Sequence, residues 1–159
     1  AYEKELLGTA GAIKNAGKLV TEDAFYVLNA DTFYQIDYSR LAQMQAEKDL
    51  DLALVLREVP DISRYGEATL DQGMLTGFNE KTSEARPGTI NGGIYYMKRE
   101  LLDEIPEGKV SLENEMIPKW LGEKRRLGGF VHDGYFIDIG IPEAYYQFMD
   151  DVEKGVIRW

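Results

Sequence analysis

The sequence of 159 residues predicts an α/β fold in a single domain. Two short apolar runs, Phe25–Leu28 and Leu52–Leu56, are typical of strands that are buried on both faces. Between them, Ser39–Lys48 shows the helical spacing of apolar side chains. We therefore expect a parallel strand pair with a right-handed crossover. An antiparallel section should follow, because Gly66–Phe78 contains two short segments that flank a turn, the pattern of a hairpin.

The residues at the element boundaries refine this prediction. A Gly-Thr-Ala-Gly turn should precede a first helix, Gly11–Val20, and Ser39 is the expected cap of the second helix. In the antiparallel section, Asp71-Gln72-Gly73 is the predicted hairpin turn between the strands Gly66–Leu70 and Met74–Phe78.

The second half of the chain continues the alternation of helices and strands. In chain order we expect a strand Thr89–Met97, a helix beginning at Arg99, a helix from Ser111 to about Leu121, strands Leu127–Val131 and Tyr135–Ile139, and a closing helix Pro142–Val152. Ser111 should cap its helix, and Pro142 suits the first position of the last helix. Ligands of open α/β sheets bind at the carboxyl ends of the strands, so functional residues are expected there.

The composition excludes several classes of function. The formal net charge is -10, from 18 Lys and Arg against 28 Asp and Glu, which disfavours a nucleic acid or an anionic membrane as partner. The sequence has no cysteine and one histidine, His132, so zinc-thiolate sites and thiol nucleophiles are excluded and His132 is interpreted as structural. Without a long apolar run or a signal-peptide core, the expected location is cytoplasmic.

Two aspartates occupy positions that suit a metal ion. Asp31 comes directly after the first buried strand, and a hard oxygen ligand at the carboxyl edge of a sheet suits Mg²⁺. Asp138 interrupts the apolar segment Phe136–Gly140, where a buried charge is costly unless it is paired or bound to a metal. The two carboxylates could share one Mg²⁺ if their strand ends converge. The alternatives are that Asp31 caps a loop and that Asp138 faces water on an edge strand.

Small residues mark two further candidate segments. In Leu7-Gly8-Thr9-Ala10-Gly11, small side chains before a helix allow a ligand ring or phosphate to approach the backbone, although a tight turn would need the same residues. In Asn91-Gly92-Gly93, the Asn91 side chain can donate to and accept from a hydroxyl. Glycine inside a strand marks either the close approach of a ligand or a bulge.

Charged residues after the hairpin and in the Ser111 helix complete the candidates. Glu80 can accept from sugar hydroxyls, and Lys81 can neutralise a phosphate, unless the two form a solvated pair. Glu113 lies in the first helical turn, where it either contacts a ligand or complements the helix dipole.

The order of these motifs resembles that of the sugar-1-phosphate nucleotidyltransferases. The matching segments, which cover nearly the whole chain, are Glu5–Ala12, Leu28–Asp31, Arg64–Gly66, Phe78–Lys81, Asn91–Tyr95 and Phe136–Gly140. The resemblance implies a Rossmann-like nucleotide-diphospho-sugar transferase fold, which is an α/β/α sandwich with a mixed, mostly parallel sheet. It also implies that a nucleoside triphosphate and a sugar 1-phosphate react to give a nucleotide sugar and pyrophosphate.

The same resemblance implies a role for each candidate residue. Asp31, Asp138 and Lys81 would be catalytic, with Mg²⁺ held by the two aspartates and the phosphate of the sugar held by Lys81. The nucleotide would be bound by Gly8, Thr9 and Gly11, and the sugar by Gly66, Glu80, Asn91 and Glu113. The Leu7–Gly11 segment is similar to that of guanylyltransferases for manno-heptose 1-phosphate and mannose 1-phosphate, so GTP is the expected nucleotide.

The chain departs from the family at its N-terminus. The family opens with a glycine-rich loop that carries an Arg and a downstream Lys, and residues 1–159 contain no match to it. We therefore expect a single, N-terminally truncated domain over 1–159 that lacks the leading strand and this loop. An exposed sheet edge would then favour self-association into a homo-oligomer. The family's Gly between Asn and Asp is Ala30 here.

Two other functions stay open at this point. One is a non-catalytic module that binds a nucleotide sugar, and the other is a metal-dependent glycosyltransferase. Glycosyltransferases usually place two carboxylates around one residue after the strand, whereas Thr32 and Phe33 follow Asp31 here.

We predict that the purified 159-residue chain is nearly inactive by itself. A triphosphate held without the glycine-rich loop loses much of the charge stabilisation that phosphoryl-type transfer needs. The measurement is pyrophosphate release from GTP and mannose 1-phosphate, and robust turnover would refute the prediction.

Overall fold

The fold is built on a six-stranded sheet and a smaller two-stranded sheet, in a computed structural model that describes residues 1–63, 65–79 and 85–157. The strands are β1 Ala24–Leu28, β2 Thr32–Tyr34, β3 Leu52–Val59, β4 Glu67–Asp71, β5 Met74–Asn79, β6 Gly88–Lys98, β7 Leu127–Val131 and β8 Phe136–Asp138. The larger sheet has the order β1-β6-β3-β7-β5-β4, and β2 pairs with β8 in the smaller one.

Five α-helices surround the sheets in the described ranges. They are α1 Gly8–Gly17, α2 Tyr38–Lys48, α3 Leu101–Glu104, α4 Ile117–Gly122 and α5 Pro142–Glu153, and a π-helical turn, Leu112–Met116, leads into α4. Within these ranges, no helix is both long enough and apolar enough to cross a membrane.

The larger sheet lies between two layers, so the expected α/β/α sandwich is confirmed. Successive side chains of a strand point to opposite faces. On β3, Leu54 faces the core that contains Trp120 of α4, whereas Val55 faces the core that contains Leu41 of α2. All four side chains are fully buried, which explains why the sequence of β3 is continuously apolar.

The expected pairing of β1 with β3 is wrong. The two strands run in the same direction, but β6 lies between them and pairs antiparallel with both. Among the described strands only β3 and β7 form a parallel pair, so the sheet is mixed but has fewer parallel pairs than expected. The strand–helix–strand pattern correctly predicted that β1 and β3 run in the same direction. It did not predict their neighbour in the sheet, because β6, which comes later in the chain, inserts between them.

Several boundaries also differ from the predictions. The first helix begins at Gly8 instead of Gly11, because the predicted turn is its first turn, and it ends at Gly17. Asp37, not Ser39, caps α2: its backbone is extended and its carboxylate accepts from the Ser39 N–H at 3.0 Å. The helix expected from Arg99 is the short α3. The last strand, β8, is shorter than predicted and pairs with β2, which was not predicted.

The hairpin and the cap at Ser111 are confirmed. Strands β4 and β5 are joined by Gln72 and Gly73, whose φ angles of 49° and 79° suit a two-residue hairpin turn. The Ser111 hydroxyl accepts from the N–H of Asn114 at 3.1 Å and so caps the π-helical turn.

Strand β6 contains a bulge. Leu56 pairs with Asn91 and Leu54 pairs with Tyr95, so β6 uses more residues over this stretch than β3 does. Gly93 lies within the bulge with a φ of +74°. A Cβ atom at Gly93 would lie 2.9 Å from Nδ2 of Asn29. The bulge therefore requires glycine at this position both for its backbone conformation and for space.

We predict that Gly93→Ala lowers the free energy of unfolding more than Gly108→Ala does, as measured by urea denaturation. Gly108 also has a positive φ, +100°, but an added Cβ would meet nothing within 4 Å. Gly108→Ala should therefore lower the free energy of unfolding only by the backbone strain of alanine, about 1–2 kcal/mol. Gly122→Ala is the control without either problem and should leave stability unchanged or raise it by up to about 1 kcal/mol. Equal losses at Gly93 and Gly108 would contradict the contact with Asn29.

Candidate active site

Four polar side chains form one hydrogen-bonded network beside the bulge. Glu113 is its centre: Oε1 accepts from the Tyr95 hydroxyl at 2.9 Å, and Oε2 accepts from the Thr9 hydroxyl at 2.8 Å. The Tyr95 hydroxyl in turn accepts from Nδ2 of Asn91. The structure thus brings together Thr9, Asn91 and Glu113, three of the residues that the sequence singled out.

The bulge explains why Asn91 reaches Tyr95. Oδ1 of Asn91 accepts from the N–H of Gly93 at 3.1 Å, which holds the amide inside the bulge with Nδ2 directed to Tyr95. Of the two interpretations of the glycine pair, the structure therefore shows the bulge.

Glu113 accepts hydrogen bonds from side-chain hydroxyls, which a carboxylate that only complements a helix dipole would not need. It is half-buried in the π-helical turn. Ser111 is the third hydroxyl that donates to its carboxylate, with a distance of 3.4 Å to Oε2. The Thr9 hydroxyl accepts from the Leu112 N–H at 2.7 Å, so its own proton is free to go to Glu113. The donors around Glu113 consequently all point at the carboxylate.

The Tyr95 phenol stays protonated in this network. Burial raises the pKa of Tyr95 well above its ordinary value, and the negative charge of Glu113 raises it further. The Tyr95 residue is only 1% exposed. Because a carboxylate offers about four acceptor sites, Glu113 can still accept from a hydroxyl of a ligand after Thr9 and Tyr95 have donated.

The glycines of the predicted nucleotide-binding segment pack against the chain itself. A Cβ on Gly8 would lie 2.6 Å from the carbonyl oxygen of Val110, and one on Gly11 would lie 2.3 Å from that of Gly108. The Val110 carbonyl also accepts from the N–H groups of Ala10 and Gly11 at 3.0 and 3.3 Å. This packing explains both glycines, and their role in nucleotide binding stays a prediction.

The smaller sheet brings the two predicted metal ligands together. Thr32 of β2 lies opposite Asp138 of β8, and the Asp31 carbonyl accepts from the Ile139 N–H at 2.8 Å. A Cβ on Gly140 would lie 3.0 Å from Oδ1 of Asp138 and 3.7 Å from Oδ2 of Asp31. Both carboxylates therefore border the same point, as sharing one ion would require.

The surroundings of this pair fit a magnesium ion. Asp31 is exposed, and Asp138 is half-buried with Oδ1 accepting from the Gly140 N–H at 2.9 Å. Two carboxylates with an open side suit Mg²⁺, which keeps several waters and is completed by phosphates of the substrate. Over 1–63, 65–79 and 85–157 there is no group of three or more His, Cys, Asp or Glu that could hold a metal without such help.

Asn29 connects the carboxylate pair with the polar network. Its N–H donates to the Gly93 carbonyl at 2.8 Å, and its side chain covers Gly93. Asn29 closely precedes Asp31 in the chain, and Gly93 closely follows Asn91. The contact between Asn29 and Gly93 therefore joins the segment that carries Asp31 to the segment that carries Asn91.

The remaining candidates belong to the hairpin. A Cβ on Gly66 would lie 3.1 Å from the carbonyl oxygen of Asn79, so Gly66 lies at the foot of β4 and β5. Glu67 of β4 also pairs with Ile90 of β6, which brings this end of the hairpin next to Asn91. Glu80 and Lys81 lie outside the described residues.

Sequence reasoning missed Tyr95 as the partner of Glu113 and Asn29 as the support of the bulge. Both residues stand inside motifs that were identified, but their partners lie far away in the chain. His132 takes no part in the site: its ring stacks on Phe130 at 5.6 Å, and Nε2 lies 3.1 Å from the carbonyl oxygen of Gln35.

The sandwich and the arrangement of its strands define a domain of the nucleotide-diphospho-sugar transferase fold. A family model described as "Nucleotidyl transferase" matches residues 1–155. The chain therefore belongs to the nucleotidyl transferase family.

Relatives of this chain include guanylyltransferases. The D-glycero-alpha-D-manno-heptose 1-phosphate guanylyltransferase of Campylobacter jejuni is 39% identical over 151 residues, which are 94% of this chain and 65% of that protein. The mannose-1-phosphate guanylyltransferase of Mycobacterium tuberculosis is 31% identical over 97% of this chain and 44% of that protein.

Solved structures of HddC from Yersinia pseudotuberculosis are also similar. One of them is 36% identical to this chain and superposes with a TM-score of 0.82. The match covers 94% of this chain and 64% of the HddC chain. Another, with a TM-score of 0.80, is a complex with GMP-PN. The chain thus spans about two thirds of the length of the first of these relatives.

We predict that Tyr135 makes stability fall with rising pH above about pH 10. Its hydroxyl donates to Asp151 of α5, and burial together with this hydrogen bond raises the pKa of Tyr135 to about 12. An unfolded tyrosine ionises near pH 10, so the contribution is fully present below about pH 10 and is lost as the pH rises towards 12. Urea denaturation should give a flatter dependence on pH in this window for Tyr135→Phe than for the wild type.

Tyr146→Phe is the matched control, since Tyr146 lies on α5, the helix that carries Asp151, and is 69% exposed. Its pH dependence should follow that of the wild type. Parallel curves for Tyr135→Phe and the wild type would contradict the prediction.

Proposed function

We propose that the protein containing this chain is a sugar-1-phosphate guanylyltransferase. It joins GTP to the 1-phosphate of a manno-configured sugar, a manno-heptose or mannose, and yields a GDP-sugar and pyrophosphate. The guanylyl assignment is supported by the relatives that carry this activity in their names and by the similar structure with GMP-PN.

The proposed reaction is an in-line displacement at phosphorus. An oxygen of the sugar phosphate attacks the α-phosphorus of GTP and forms a new P–O bond. The bond from the α-phosphorus to the bridging oxygen breaks, and pyrophosphate leaves with the electron pair. No covalent bond to the protein forms, so the residues act by positioning and by charge.

The charge-bearing residues have separate roles in this proposal. Asp31 and Asp138 hold Mg²⁺ between them, on the side where both carboxylates border Gly140. When bound, Mg²⁺ supplies positive charge to the phosphate oxygens. Lys81 neutralises the phosphate of the sugar substrate.

The uncharged and acidic candidates bind and orient the substrates. The nucleotide lies along Gly8, Thr9 and Gly11, and the sugar is contacted by Gly66, Glu80, Asn91 and Glu113. For Glu113 this role is supported by the free acceptor sites that remain on its carboxylate.

The observation that carries the proposal is that the carboxylates of Asp31 and Asp138, which are distant in the chain, both border Gly140. Two carboxylates with an exposed side suit Mg²⁺, which is completed by waters and phosphates. Such a metal site is what a transfer between phosphorylated substrates would use.

We expect GDP-mannose with Mg²⁺ to raise the melting temperature of the chain more than UDP-, dTDP- or ADP-sugars do. At a hundredfold excess over the dissociation constant, binding stabilises by about 2.7 kcal/mol, which for a chain of this size is a shift of about 5–10 °C. Asp138→Ala should abolish the shift, because the diphosphate then loses the metal.

Asp133→Ala is the matched control, since Asp133 is an exposed carboxylate in the segment before β8. It should keep the wild-type shift. A GDP-mannose shift that survives in Asp138→Ala would contradict the metal site, and an equal response to all four nucleotide sugars would contradict the guanylyl assignment.

A further inference from the structure

The single proton of the Thr9 hydroxyl is used in a hydrogen bond within the protein. The hydroxyl accepts from the Leu112 N–H at 2.7 Å and donates to Oε2 of Glu113 at 2.8 Å. A threonine hydroxyl has a single proton to donate. With that proton on Glu113, the hydroxyl has none left to offer to a nucleotide.

The two bonds of Thr9 join different parts of the fold. Thr9 lies in the first turn of α1, which is fixed against Val110 by the close packing of Gly8 and by two backbone hydrogen bonds. Glu113 lies in the π-helical turn, which Ser111 caps. Thr9 is thus a rigidly placed donor to the carboxylate of Glu113, whose side chain has several rotatable bonds.

Holding both oxygens of a carboxylate fixes its plane, whereas holding one leaves it free to turn. Tyr95, which is buried, holds Oε1 of Glu113, and Thr9, which is exposed, holds Oε2. The remaining acceptor directions of the carboxylate are therefore set mainly by these two short hydrogen bonds, with the longer Ser111 contact to Oε2 at 3.4 Å beside them.

We infer that Thr9 is a positioning residue that orients Glu113 for the hydroxyl groups of the sugar, and that its hydroxyl does not donate a hydrogen bond to the nucleotide that lies along this segment. The inference rests on the proposed function, in which Glu113 contacts the sugar. It assigns Thr9 to sugar recognition although Thr9 stands in the segment that resembles the family's nucleotide-binding motif.

The test compares GDP-mannose with GDP, which has no sugar. Both ligands are titrated with Mg²⁺ into the wild-type chain and the variant Thr9→Val by isothermal calorimetry. Valine keeps the shape of threonine and removes the hydroxyl. We expect the dissociation constant of GDP-mannose to rise about three- to tenfold, which is the size of one ordinary net hydrogen bond, with that of GDP unchanged.

Two further variants separate positioning from a structural effect. Thr9→Ser keeps the hydroxyl and should restore the wild-type ratio of the two dissociation constants. In a Glu113→Ala background, Thr9→Val should produce no additional loss for GDP-mannose, because Thr9 acts only through Glu113. Thr21→Val, at an exposed position away from the site, should match the wild type for both ligands.

The outcomes distinguish this inference from the proposed function. If Thr9→Val weakens GDP and GDP-mannose equally, Thr9 is a nucleotide ligand or a general structural residue, and the inference is overturned while the function stands. An additional loss in the Glu113→Ala background would overturn it as well. If the wild-type chain binds neither ligand, the proposed function fails for this chain and the inference fails with it.

Discussion

The bulge of β6 is the constraint on which the arrangement of the site depends. In a regular strand, side chains four residues apart share a face but are separated by about 13 Å. Asn91 and Tyr95 are hydrogen-bonded only because the bulge shortens this path. The bulge in turn needs Gly93 and the cover of Asn29, so the end of β1 and the interior of β6 define each other.

The polarity of the hydrogen bonds follows from one charged group. Among the described residues, each side-chain partner of Glu113 is a hydroxyl that donates to it. The Tyr95 hydroxyl in turn accepts a hydrogen bond from Asn91, and the Thr9 hydroxyl accepts one from the Leu112 N–H. In both series of hydrogen bonds the donors therefore point towards the carboxylate of Glu113, where the series end. A ligand that meets it finds an acceptor, and this suits hydroxyl groups and opposes phosphates.

Local features of the fold were predictable from the sequence, and non-local ones were not. The hairpin at Gln72 and Gly73 and the cap at Ser111 depend on neighbouring residues, and both were predicted correctly. Asp31 and Asp138 were recognisable because each is a carboxylate next to or within an apolar segment of the sequence, although β1 is an edge strand with Tyr26 and Leu28 exposed. The convergence of the two aspartates depends on β2, a strand too short to show a periodicity, and the pairing of β1 with β6 likewise leaves no local trace.

The charge of the site constrains how the proposed triphosphate substrate can bind. Among the candidate residues that the structure describes, the charged ones are Asp31, Glu113 and Asp138, which are all carboxylates, and the whole chain carries -10. Two like charges 4 Å apart near a protein surface repel by about 4 kcal/mol, so phosphates need compensation. In the proposed function, the aspartate pair supplies this compensation by binding a cation, and Lys81 adds another positive charge. Nucleotide and Mg²⁺ should consequently strengthen each other's binding by the same factor, because such coupling is reciprocal.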